Sequence, residues 1–107
     1  MKKVLSAKEM VLGCLPTDKG LVRCKYGKIN KYIAYELGIE REYSYGVRPM
    51  RLTVVELKKG KLFVKETKTF RDETEELGGR IVGKYYKNAN EIASEYIQKL
   101  KDEYKIS

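Results

Sequence analysis

The sequence predicts an α+β fold: one small domain over residues 1–107, an antiparallel sheet, and three helices at about 7–15, 28–38 and 89–104. Three observations lead there. An apolar content of 42% in 107 residues supplies one hydrophobic core but not two. A β-rich run over residues 51–70, broken at Lys59-Gly60, reads as an antiparallel hairpin. Apolar residues recur at helical spacing on both sides of that hairpin.

Taken in order, Ser6 followed by Glu9 is a capping box, in which each residue satisfies an orphan amide of the other's turn. Ala7, Met10, Val11, Cys14 and Leu15 then form the apolar stripe of a short helix that stops before Pro16. "PTDKG" reads as a turn and "LVRCKY", residues 21–26, as a short strand. In the helix expected over 28–38, Ile29, Ile33 and Leu37 share the inner face, with Tyr32 at its edge. Gly38 supplies the stop. Lys28, Lys31 and Tyr35 fall on the outer face, which is basic with one aromatic.

Residues 40–50 fit neither a helix nor a strand cleanly. Tyr43, Tyr45 and Val47 alternate as in a strand, but Gly46 and Pro49 interrupt. After the 51–70 hairpin, "RDETEELGG" reads as a short acidic helix or turn and "RIVGKYY" as a last strand. Asn88 caps the final helix, with Glu91 three residues on. Its buried stripe is Ile92, Tyr96, Ile97, Leu100 and Tyr104.

Composition narrows the chemistry. There is no histidine, so Ser/His and Cys/His nucleophilic pairs cannot be built, and the usual proton shuttle near neutral pH is missing. The two cysteines, Cys14 and Cys24, sit among apolar neighbours and read as buried thiols. Lys8 and Glu9 interrupt the apolar start that a secretory signal would need, and no apolar run reaches the length of a membrane span. A cytoplasmic protein is expected, with no enzyme activity, no cofactor and no metal.

Two local motifs dissolve on inspection. "GGRIVGKY" places Gly78, Gly83 and Lys84 as in a phosphate-binding loop, but Tyr85 stands where the magnesium-binding hydroxyl belongs. Asp72, Glu73, Glu75 and Glu76 are more simply the solvated acidic start of a helix than a metal site.

"IAYELGIE" resembles the first helix and turn of helix-turn-helix domains. Ala34 matches the small residue at the helix crossing, Leu37 a core position, Gly38 the turn, and Ile39 the apolar residue after it. The resemblance covers about residues 30–39. Ser44, Gly46 and Pro49 depart from what a recognition helix requires. The order of helix, strand, helix and basic hairpin is similar to a winged helix, so that fold is the alternative. The resemblance then implies DNA binding, with the hairpin as a wing.

Charge points to an anionic partner without any family. The net charge is +8. Residues 1–60 hold 13 Lys+Arg against 6 Asp+Glu, or +7, and residues 61–107 hold 10 against 9, or +1. Tyrosines interleave with the cations, and aromatic faces stack on bases while cations hold phosphates. The leading expectation is a non-enzymatic protein that binds DNA or RNA through Lys28, Lys31, Tyr35, Arg41, Tyr43, Tyr45, Arg48, Arg51, Lys58, Lys59 and Lys61. Two other readings stay open. One is a small inhibitor or adaptor of the phage or mobile-element type that docks on a host protein. The other is capture of a small anionic nucleotide.

Overall fold

The computed structural model describes residues 5–16, 20–41, 49–71, 76–77, 80–81 and 88–104. A helix α1 (Ala7–Cys14) precedes four long strands, β1 (Leu21–Asn30), β2 (Ile33–Glu40), β3 (Met50–Lys58) and β4 (Lys61–Phe70). A two-residue pair follows, β5 (Glu76–Leu77) and β6 (Arg80–Ile81), and then a helix α2 (Ala89–Glu103). The long strands form one antiparallel sheet in the order β1-β2-β3-β4, each paired to its neighbour in the chain. The α+β class therefore holds, with two helices among the described residues rather than three. Neither is long and apolar enough to cross a membrane.

The helix expected over 28–38 is the correction. Lys28–Asn30 close β1, Lys31 and Tyr32 make the turn, and Ile33–Glu40 form a central strand. Ile29, Ile33 and Leu37 do share one face: Ile33 and Leu37 because a spacing of four is even and returns to the same side of a pleated strand, and Ile29 because it reaches the same core from β1. Tyr35 and Ile39 complete that face at a spacing of two. The alternation was masked because β2 is enclosed on both sides. Ala34 and Glu36 on its other face are fully buried, and Gly38 is buried beside them. Ala, Glu and Leu all favour helices locally, and tertiary burial overrides that weak preference. Gly38 is no helix stop. A Cβ there would lie 2.9 Å from Cys24 Sγ and 3.0 Å from Leu21, so the bulged β1 can press against it only because the side chain is absent.

The other expectations fare better. Helix α1 has the capping box, with Ser6 Oγ accepting from Glu9 N–H at 3.1 Å and Glu9 Oε1 from Ser6 N–H at 3.1 Å. The Lys59-Gly60 turn closes the hairpin with φ of 52° and 76°, the left-handed pair that matches the twist of the flanking strands. Asn88 caps α2, accepting from Glu91 N–H at 2.9 Å. β1 is longer than the expected 21–26, and Glu76–Leu77 is a strand rather than a helix end.

The two helices lie on opposite faces. Ile33, Leu37, Met50, Leu52, Val54 and Phe70 join Ala89, Ala93, Ile97 and Leu100 of α2 in the main core. Ala89 and Ala93 are small enough to let the helix sit close to the sheet. On the far face Met10 and Val11 of α1 pack on Ala34 and Val55, with Leu57 and Leu62 alongside. The result is three layers, helix on sheet on helix.

Candidate nucleic-acid interface

Two turns at one end of the sheet carry the lysines. In the β1–β2 turn, Asn30 Oδ1 accepts from Tyr32 N–H at 2.8 Å and Ile33 N–H at 3.0 Å. Such a side-chain turn is what asparagine does readily. The Asn30 side chain also donates to the Tyr104 carbonyl at 2.9 Å, fixing the turn to the end of α2. Lys28 Nζ donates to the Lys31 carbonyl at 3.2 Å, and Lys31 Nζ lies 5.8 Å from the Tyr32 ring centre.

The neighbouring turn is the hairpin tip. Lys58 and Lys61 are direct cross-strand partners, with Lys59 between them, and all three are exposed. Like charges directly opposite are destabilising. Nothing in the sequence of the tip offsets them, since the nearest acid in β3, Glu56, faces Lys65 at 3.8 Å. Leu57 N–H donates to the Tyr32 carbonyl at 2.8 Å, so the two turns stand side by side. Lys28, Lys31, Lys58, Lys59 and Lys61 therefore gather at one end of the molecule.

Arg51, Arg41 and Tyr35, the other expected contacts among the described residues, do not join them. Arg51 sits near the other end of β3, about 23 Å of strand away from Lys58 at the usual rise per residue. Its guanidinium grips Glu40 with both arms, Nε to Oε1 at 2.8 Å and Nη2 to Oε2 at 3.0 Å. That hydrogen bond holds the Glu40 carboxyl below its ordinary pKa and raises that of Arg51 further. Arg41 follows β2 at the same far end, its N–H bonded to the Gly20 carbonyl at 2.7 Å. Tyr35 is half-buried on the α2 side, its ring so close over Gly27 that a methyl group there would overlap it. Tyr43, Tyr45 and Arg48 lie outside the described residues, as do Ser44 and Gly46.

Residues that the sequence hid belong to the same end. Tyr32, read as the edge of a core, is 48% exposed, and Phe63 is 50% exposed. Phe63 gave no signal because period two marks alternate residues without saying which set faces the core. Lys65 and Lys68 of β4 take a different role, standing 5.1 Å and 4.2 Å over the rings of Tyr104 and Tyr96 of α2.

A second polar group lies inside the α1-side face. Register pairs Tyr26 with Glu36 and Glu36 with Thr53, making a cross-strand row. Glu36 is fully buried and Thr53 nearly so, while Tyr26 at the end of the row is partly exposed. Burial, then the Glu36 charge, pushes the Tyr26 phenol up. The residues that carry the helix-turn-helix resemblance, Ala34, Leu37, Gly38 and Ile39, sit in β2 and not in a helix. No protein-family model, curated protein or solved structure matches the chain.

Proposed function

We propose that this protein binds nucleic acid, without catalysing a reaction, through the lysine-bearing end of its sheet. The supporting observation is the Leu57 to Tyr32 backbone hydrogen bond, which sets two basic turns next to each other. Five ammonium groups in one place form a footprint for a row of phosphates, and each phosphate neutralised releases counterions. The facing lysines Lys58 and Lys61 repel one another until an anion lies between them. Backbone geometry positions the charges, since both turns are pinned by hydrogen bonds and sit on a rigid sheet.

Binding measured by fluorescence anisotropy across a salt series tests this. Affinity is expected to fall steeply as salt rises. Replacing Lys58 and Lys59 together with alanine should flatten the logarithmic slope by roughly 0.7–0.9 for each phosphate that is no longer neutralised. Arg51→Ala should leave that slope unchanged, because its charge is committed to Glu40. Affinity indifferent to salt, or a slope that the lysine variant does not alter, overturns the reading.

A further inference from the structure

Among the described residues, Tyr32 and Phe63 are the exposed aromatic rings at the basic end, each about half exposed. The Tyr32 backbone is fixed on both sides, its N–H on Asn30 Oδ1 and its carbonyl on Leu57 N–H, while its ring is left to solvent. Phe63 stands across the sheet. Ile33 pairs with Glu56 and Glu56 with Phe63, so two strand spacings, about 10 Å, separate Phe63 from the neighbour of Tyr32. Phe63 is on the side of the sheet that α2 covers but is not among the residues of that core. It gains little from burial, and each ring has a lysine near it in the chain. Lys31 lies by Tyr32, and Lys61 is two residues before Phe63.

A purely apolar partner would have to strip water from those ammonium groups without repaying them. A partner with an anionic backbone and free flat apolar faces meets both features at once. A single strand of nucleic acid has that combination, whereas a duplex keeps its base faces inside its own stack. Resting on the reading above, we propose that the nucleic acid bound at this end is single-stranded. Bases stack on Tyr32 and Phe63 while the lysines of the two turns hold its phosphates.

The test compares a labelled oligothymidylate with the duplex it forms with its complement, using the full chain. The wild-type protein should prefer the single strand. Phe63→Leu and Tyr32→Ala should each weaken single-strand binding roughly 5- to 150-fold, the range of one lost base stack. Neither should change the salt slope. Phe63→Tyr, which keeps a ring, should restore affinity, and unchanged circular dichroism and melting temperature separate lost stacking from lost folding. Preference for the duplex, or full affinity in both ring variants, overturns the single-strand inference while the basic-end reading survives. Binding to neither polymer overturns both.

Discussion

The two faces of the sheet are sealed by different means. The α2 side is one continuous apolar core running from Ile29 and Ile33 at one end to Met50 and Phe70 at the other. A helix of 15 residues covers it. The α1 side is covered by only 8 helical residues, and its apolar cluster is confined to Met10, Val11, Ala34 and Val55 with their immediate neighbours. Away from that cluster the face also carries polar groups, the Tyr26–Glu36–Thr53 row and the Glu40–Arg51 pair. One face is thus held by area removed from water, the other by a small clasp and by charge and hydrogen-bond pairing. Stability resides on the first, and cooperative unfolding should follow it.

The largest effect expected is from cavities on the two faces. Leu52→Ala removes a fully buried side chain from the main core and should cost about 3–5 kcal/mol in urea unfolding. Met10→Ala, equally buried, should cost only about 2 kcal/mol, because a two-turn helix can shift to close part of the gap. Hydrogen exchange should show α1 amides opening without the sheet in that variant. Equal costs would erase the distinction between the faces.

A smaller effect sharpens the α2 side, whose rim is not wholly apolar. Tyr96 donates its hydroxyl to Glu66 at 2.7 Å, and this bond raises its pKa to about 12. A raised native pKa means that the folded state holds the proton more tightly. The stabilisation is complete below pH 10 and is lost as pH climbs towards about 12. Tyr96→Phe should cost about 1–2 kcal/mol at neutral pH, and the gap to the wild type should shrink through that alkaline window. Urea midpoints of the two proteins at rising pH measure it.

The smallest effect belongs to the polar side. Glu40 and Arg51 are 22% and 27% exposed, so water screens the pair and Glu40→Gln should cost about 1 kcal/mol or less. The Glu40 pKa is lowered from 4.5, so its contribution is full above that value and disappears as pH falls through the depressed one. The variant should lose that acid-side slope, which a pH series of melting temperatures would show.

The sequence made legible whatever is decided locally. Ser6 with Glu9, Asn88 with Glu91 and Lys59-Gly60 each form a cap or turn from a few adjacent residues, and each stands where the sequence placed it. The central strand was illegible because its signal comes from two layers at once. Ile33, Tyr35, Leu37 and Ile39 answer to α2, while Ala34 answers to α1 and Glu36 to its neighbours in the sheet. Mixed together they imitate a helix.

The candidate site divides in the same way. Lysines of the hairpin tip were readable because their exposure follows from a tight turn. Arg51 was not, because only register brings it beside Glu40. Tyr32 and Phe63 required knowing which side of the sheet each strand residue takes.

The Asn30 side chain that grips the Tyr104 carbonyl joins positions 74 residues apart, and this sets an order of events during synthesis. Every pairing in the sheet is between consecutive strands and can close as the chain emerges. The apolar face must wait for α2. At ribosomal speeds the 33 residues from Phe70 to Glu103 take roughly 2–7 s, during which Ile33, Leu37, Leu52 and Val54 have no cover. Lys61, Lys65 and Lys68 on the outer strand then guard a nascent sheet against its neighbours, before Lys65 and Lys68 settle over the tyrosines of α2.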